Sequence, residues 1–273
     1  MRPIKIELFV NKHNTLNMTV LGIGNVGEDA VKKYPFTSNP DMFGYFSTLT
    51  FCSDGILRNP DRLPFDFDNI ELIRTELEGT IKKTDCLFIV TDINSEDDLK
   101  NAVRFAELHK DTASCPFDAL VQVGNYIDEK LEIPKVFDLS ISVDNFAEAY
   151  KPIYMLISGI PAGDIGLDFA DVMYVAKKSP VMKFAQNRVR KVNQCESLIA
   201  PLMEKLVENR KNNEVQNMMV LYNAPAYCPF EVMLNIGEHL SSIVNDGDII
   251  WQVKFHDESD DSLTVSILYG VQE

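Results

Sequence analysis

The chain has 273 residues, of which 45% are hydrophobic and 25% charged, and this ordinary globular composition excludes collagen-like and disordered classes. Its net charge of −15 argues against binding a nucleic-acid backbone or an anionic membrane surface. No uncharged run reaches the ~18 residues of a membrane-spanning helix, and no secretory signal is visible at the start of the chain. We therefore expect a cytoplasmic protein without direct membrane insertion.

The residues that often bind metals or form disulfides are scattered along the chain. The five cysteines form no C-x-x-C pair, and the four histidines share no regular spacing. This pattern indicates reduced, buried thiols, and it assigns no residue as a metal ligand.

In the first half of the chain, short apolar runs alternate with helical patterns. The apolar runs predict strands at residues 18–23, 46–52, 86–90, 119–123 and 136–143. Helical spacing predicts helices at residues 28–33, 69–83 and 99–106. Strands that alternate with helices indicate an α/β fold with a mostly parallel sheet. We therefore predict a Rossmann-like N-terminal domain over residues 1–144.

The rest of the chain predicts a central helix and a smaller domain. Apolar residues at helical spacing indicate a central helix over residues 145–163, which either begins or kinks at Pro152. Residues 164–273 predict an α+β C-terminal domain, with helices at 194–210 and 230–243 and a strand at 218–222. The alternating runs at 251–255 and 263–267 predict an antiparallel hairpin with one solvated face.

A glycine-rich turn joins the first predicted strand to the first predicted helix. Gly22, Gly24 and Gly27 form a G-x-G-x-x-G pattern, which lets backbone N–H groups approach a phosphate at a helix N-terminus. The same glycines could instead form a tight turn that binds nothing. Glu28 and Asp29 are expected in the first helical turn, where their charges would repel a phosphate.

The chain contains VLGIGNVGEDAV, GDIGLDFADV and Cys52-Ser-Asp54, and these three segments resemble the FtsZ/tubulin superfamily of polymer-forming GTPases. The first is VLGIGNVGEDAV at residues 20–31, which is similar to the family's first strand, glycine loop and helix. The second is GDIGLDFADV at residues 163–172, which resembles the loop after the family's central helix. The third is Cys52-Ser-Asp54, which lies where the family has Asn-Thr-Asp. The order of the later helices and strands also fits.

The resemblance implies a GTP site with magnesium on the N-terminal domain and head-to-tail contacts with a second copy or a related FtsZ-like protein. Gly22, Gly24, Asn25 and Gly27 would lie at the nucleotide, with Asp54 near the phosphates. In the family, acidic residues of the loop after the central helix enter the next subunit's site and orient the attacking water. Asp168 and Asp171 would be these catalytic residues here, although both also fit a helix start, where Asp is favoured.

The family's glycine-rich phosphate loop should follow residue 90, but residues 91–98 read TDINSEDD and contain no glycine. Ser95 or Asn94 instead fits a helix N-cap, and Glu96, Asp97 and Asp98 fill the first turn with negative charge. The family's Asn in the loop after the central helix is replaced by Gly166. These departures predict a degenerate nucleotide site.

Three hypotheses follow. The first is a structural or assembly protein with a degenerate GTP site and head-to-tail contacts through the Asp168 loop. The second is an active polymerising GTPase of cell division or membrane remodelling. The third is an unrelated Rossmann-type dinucleotide-dependent enzyme, although the sequence offers no catalytic acid–base pair for one.

Overall fold

The computed structural model describes residues 16–33, 44–51, 57–58, 78–111, 116–124, 134–144, 147–158, 169–208, 215–244, 247–256 and 259–271. The chain divides into two compact units, Met1–Ile153 and Tyr154–Glu273. No helix in these described ranges is long and apolar enough to cross a membrane.

The first unit is built on a mostly parallel sheet. Its strands are β1 (Leu16–Ile23), β2 (Gly44–Phe51), β3 (Leu57–Arg58), β4 (Cys86–Asp92), β5 (Phe117–Val123) and β6 (Leu139–Val143). They lie in the order β3-β2-β1-β4-β5-β6, and β3 alone runs antiparallel to its neighbour. Its helices are α1 (Gly24–Lys33) and α2 (Glu96–Lys110), and residues 78–82 are also helical. The predicted α/β sheet is therefore confirmed.

One core cluster of the first unit lies between this sheet and α2. Ala102, Phe105 and Ala106 on the buried face of α2 pack in one cluster with Leu87 and Ile89 of β4. The ring of Phe105 meets that of Phe51 edge-to-face, with centroids 5.1 Å apart. The continuous apolar run of β4 thus marks a strand that is buried on both faces, as its sequence predicts.

α3 (Tyr150–Ser158) crosses the boundary between the two units. Pro152 lies in its first turn, where the missing N–H of proline costs no helical hydrogen bond. Pro152 therefore marks the beginning of this helix rather than a kink within it.

The second unit has a four-stranded mixed sheet. Its helices are α4 (Phe169–Lys178), α5 (Cys195–Glu208) and α6 (Phe230–Ser241), and its strands are β7 (Val181–Val189), β8 (Val215–Pro225), β9 (Ile249–His256) and β10 (Leu263–Val271). The strand order is β7-β10-β8-β9. β10 is antiparallel to both β7 and β8, whereas β9 runs parallel to β8.

The predicted hairpin between residues 251–255 and 263–267 is wrong. β10 lies between β7 and β8, and β9 pairs with β8 instead of β10. The prediction of one solvated face also fails for β10, in which Leu263, Ile267 and Leu268 are fully buried. Two strands that follow each other in sequence are neighbours in a sheet only about two-thirds of the time, and alternation alone does not identify a partner.

Candidate functional site

The glycine turn has the geometry expected of a close strand–helix connection. Gly24 is the first residue of α1 and has a φ of 68°, in the region that favours glycine. A Cβ at Gly22 would collide with the backbone of Gly27, and one at Gly27 would collide with the Val90 carbonyl oxygen. The first and third glycines therefore let α1 pack directly on β1 and β4.

α1 begins four residues earlier than predicted, which corrects the placement of two carboxylates. Glu28 and Asp29 lie in the second turn, and the first turn contains no acidic residue. Glu28 forms an (i, i+4) ion pair with Lys32. The expectation that these two acids oppose an anion at the start of α1 is therefore wrong.

The loop between β4 and α2 uses its own backbone donors. The Ile93 N–H donates to the Val123 carbonyl (3.0 Å), and the Asn94 N–H donates to Asp92 Oδ1 (2.9 Å). Ser95 is the N-cap of α2, and its Oγ accepts from the Asp98 N–H at 3.3 Å. Since each of these N–H groups has an internal acceptor, it is not available to a phosphate in this conformation.

The side chain of Asp98 lies against the glycine turn. A Cβ at Gly24 would collide with the Asp98 carboxylate, so this carboxylate stands at the Cα of the first residue of α1. A helix N-terminus attracts an anion because of its exposed N–H groups and its dipole. Asp98 is therefore an anion of the chain itself at the position where the sequence pattern predicts a phosphate.

The three acids at the start of α2 differ in whether a lysine pairs with them. Lys100 Nζ lies 3.2 Å from Asp97 Oδ1 and 3.8 Å from Glu96 Oε2, at the exposed surface. Within the described ranges, no lysine or arginine pairs with Asp98. Among the described residues, the start of α1 is therefore the positive end of a dipole that lies next to this carboxylate.

The structure describes two of the four remaining predicted site residues, Asn25 and Asp171. Asn25 is exposed on α1, next to Gly24. Asp171 is partly buried in the first turn of α4. Asp54 and Asp168 lie outside the described residues.

A buried polar pair, His109 with Asp118, has no signature in the sequence. His109 Nδ1 and Asp118 Oδ1 are 2.7 Å apart, and His109 Nε2 is 2.7 Å from the Thr84 carbonyl oxygen. Both side chains are fully buried. Although burial disfavours the charged imidazole, the hydrogen bond and charge of Asp118 raise the pKa of His109 above its ordinary value. For Asp118, burial disfavours the charged carboxylate and therefore raises the pKa.

Because both ring nitrogens face acceptors, the geometry also favours the imidazolium form. The pair lies at the end of α2 opposite Ser95 and Asp98, which makes it part of the packing of α2 on the sheet rather than of the glycine turn. Only the fold brings His109 and Asp118 together, so residue spacing could not indicate the pair.

No protein-family model matches the chain, and no curated protein matches it. The fold does match solved structures. An empty FtsZ dimer from M. jannaschii superposes with a TM-score of 0.68, at 12% identity, over 94% of this chain and 88% of that chain. A GTPγS-bound protofilament of CetZ2 from Haloferax volcanii gives a TM-score of 0.66 at 11% identity, over 94% of both chains.

A third solved structure, the GDP-form protofilaments of TubZ from Bacillus thuringiensis serovar israelensis, gives a TM-score of 0.60 at 12% identity. That match covers 94% of this chain and 84% of the TubZ chain. This chain therefore has an FtsZ/tubulin-like fold, as the sequence resemblance predicts. The match extends over nearly the whole chain rather than over the Rossmann-like half alone.

Proposed function

We propose that this chain is an FtsZ/tubulin-like assembly protein of the cytoplasm with a degenerate GTP site. It associates head-to-tail with itself or with a related FtsZ-like protein through the loop that contains Asp168. The observation that carries this proposal is the Asp98 carboxylate at Gly24, together with a loop after β4 that has no glycine. The nucleotide face is kept as a contact surface, and assembly proceeds without GTP.

Electrostatics and backbone geometry both support a degenerate site. A γ-phosphate near Gly24 would meet the Asp98 carboxylate, and like charges in close contact repel strongly away from bulk water. The loop cannot curl around a phosphate as a glycine-rich loop does, since Ser95 caps α2 at that point. Mg²⁺ held by the Asp98 carboxylate would offset this repulsion and would so favour GTP binding.

Binding of GTP and GDP, measured by calorimetry with and without magnesium, tests the degenerate site. We expect no binding by the unaltered chain below about 1 mM. Asp98→Asn removes the negative charge and keeps the size of the side chain, so it should strengthen nucleotide binding about tenfold, or about 1.4 kcal/mol. Asp97→Asn, at an exposed neighbour that pairs with Lys100, is the matched control and should have no such effect.

An active polymerising GTPase is the second candidate, because the solved structures with this fold include GTPγS-bound and GDP-form protofilaments. Tight, guanine-specific binding by the unaltered chain would favour this candidate and refute the degenerate site. In that case Asp168 and Asp171 are the proposed catalytic residues. Turnover should then rise more than linearly with protein concentration, and Asp168→Ala or Asp171→Ala should abolish it.

The dinucleotide-dependent enzyme has weaker support. The fold match covers the second unit as well as the Rossmann-like unit, which favours an FtsZ/tubulin-like protein instead. Titration with NAD in the same calorimeter tests this third hypothesis directly.

A further inference from the structure

The second unit has an apolar groove that neither the glycine turn nor the Asp168 loop explains. It lies between α6 and β9 and has a volume of about 430 Å³. Phe230 and Leu234 line one side and remain 45% and 50% exposed, although both are large apolar residues. Trp251 of β9 lines the other side, with its ring centroid 5.8 Å from that of Phe230. Exposed apolar surface arranged as a groove is typical of an interaction site.

The strand beside this groove is at an edge of the sheet. Among the described strands, β9 has β8 as its only neighbour. Its eight residues, IIWQVKFH, include one formal charge, that of Lys254, whose ammonium donates to the Tyr154 hydroxyl at 3.1 Å. Natural edge strands are usually short, charged or interrupted, because their unpaired N–H and C=O groups can pair with another strand. β9 has few of these protections.

The groove and the strand edge together restrict the kind of partner. Ile249 and Trp251 are alternate residues of β9 and face the groove, so a strand added beside β9 would direct every second side chain toward it. Glu238 is the only charged residue among the described residues that line the groove, in a chain of net charge −15. A positive side chain in the partner would complement it.

We propose that β9 and the groove beside it form a docking site for an extended segment of a partner protein. The segment pairs with the edge of β9 that has no partner among the described strands, and its alternate side chains are aliphatic and fill the groove. One lysine or arginine of the segment lies opposite Glu238. Backbone hydrogen bonds supply affinity in this mode of recognition, and the groove supplies specificity. The site lies within the second unit and is independent of the proposed nucleotide chemistry.

The first test is selection of randomised twelve-residue peptides displayed on phage against the full 273-residue chain. Peptides that also bind the Leu234→Asp variant are removed. We expect the remaining peptides to alternate aliphatic and polar residues and to contain one lysine or arginine. Failure to recover such peptides would refute the proposal, as would recovery of apolar residues at helical i, i+3, i+4 spacing.

The second test uses the strongest selected peptide, synthesised with a fluorophore, and measures its affinity by fluorescence anisotropy. Leu234→Asp should weaken binding at least tenfold, whereas Val207→Asp, at a residue of similar exposure on α5, should leave the affinity unchanged. Methylation of alternate backbone nitrogens, in the register that pairs with β9, should abolish binding. Glu238→Lys should weaken binding, and a peptide with glutamate in place of its basic residue should restore it.

Equal binding of the peptides methylated in either register would show that the strand edge is not used, and it would overturn the proposal. The alternative occupant of the groove is a second copy of this chain. Sedimentation of the unaltered chain and of Leu234→Asp tests it by measuring self-association. If Leu234→Asp instead dissolves a self-associated form, and the peptide competes with that form, a second copy of this chain occupies the groove and the peptide partner is refuted.

Discussion

Gly24 combines a positive φ with a close neighbour, which makes its lack of a side chain unusually important. A Cβ there would be strained by the φ of 68° and would also overlap the Asp98 carboxylate. Gly24→Ala should therefore lower the free energy of unfolding by about 1–3 kcal/mol. Chemical denaturation followed by circular dichroism measures this difference.

The control for that substitution is Gly79→Ala. Gly79 lies in the helical segment 78–82, and a Cβ there would meet nothing within 4 Å, so alanine should be neutral or stabilise by up to about 1 kcal/mol. If Asp98 causes part of the cost at Gly24, the double variant Gly24→Ala/Asp98→Ala should recover some of it. Additive effects in this cycle would contradict the contact between Asp98 and Gly24.

The His109–Asp118 pair predicts a particular dependence of stability on pH. The folded-state pKa of His109 is raised above 6.5, so the charged imidazole contributes stability that is complete below about pH 6.5. That contribution is lost as the pH rises through the folded-state pKa. His109→Gln should therefore cost about 2 kcal/mol at pH 6 and less at pH 9, in urea denaturation at each pH.

The direction of the pH dependence distinguishes a charged from a neutral imidazole at His109. A His109→Gln variant whose loss of stability grows between pH 6 and pH 9 would show that the imidazole is buried in its neutral form.

At the scale of single elements, the cap of α2 has a measurable energy. The Ser95 hydroxyl accepts a hydrogen bond from the Asp98 N–H, which would otherwise lack a partner in the first turn. Ser95→Ala should lower the free energy of unfolding by about 1 kcal/mol, whereas Ser95→Thr should remain close to the unaltered chain. Equal losses for the two variants, measured by thermal unfolding, would contradict a capping role.

The elements differ in how far the sequence could predict them. Ser95 or Asn94, followed by three acids, is a helix-start signal, and the structure has Ser95 as the cap; the buried strand β4 is also confirmed. The sequence does not predict β7 as a strand, because its buried residues recur at helical spacing rather than at alternate positions. These residues are Met182, Ala185 and Val189. Local pattern and final structure disagree there because β7 is held by its pairing with β10.

The candidate site shows the same division between local and long-range information. The sequence indicates the strand–turn–helix around Gly24 and the acids at the start of α2, since both are local patterns. It could not indicate that Asp98 reaches Gly24, because the two residues belong to different strand–helix units. The sequence-based prediction also began α1 too late, because two of its first four residues, Gly24 and Gly27, are glycine, a poor helix former.

At the scale of the whole molecule, the net charge of −15 opposes self-association. Salt shortens the distance over which subunits repel, from about 10 Å at 0.1 M to about 3 Å at 1 M. Analytical ultracentrifugation should therefore show more association at high salt than at low salt, and addition of GTP should not change it. Association that requires GTP at every salt concentration would contradict the proposed function.

Charge reversal locates the surface that is used in assembly. Asp168→Lys and Asp171→Lys should each alter association if the loop after the central helix makes the contact. The matched control is Asp111→Lys, at an exposed acid at the end of α2 opposite Ser95 and Asp98, which adds the same charge away from the proposed contact surfaces. If all three variants change association equally, overall charge governs it and the proposed loop contact is wrong.

The place of β10 in the second sheet also determines when that sheet can form during synthesis. β10 is the last described strand to leave the ribosome, yet β7 and β8 both need it as their neighbour. At roughly 5–20 residues per second, the edges of β7 and β8 wait for several seconds without it. The first unit has all of its strands much earlier. Nascent chains halted before residue 263 should therefore contain a folded first unit and a protease-sensitive second one, because β7 and β8 still lack the strand that joins them.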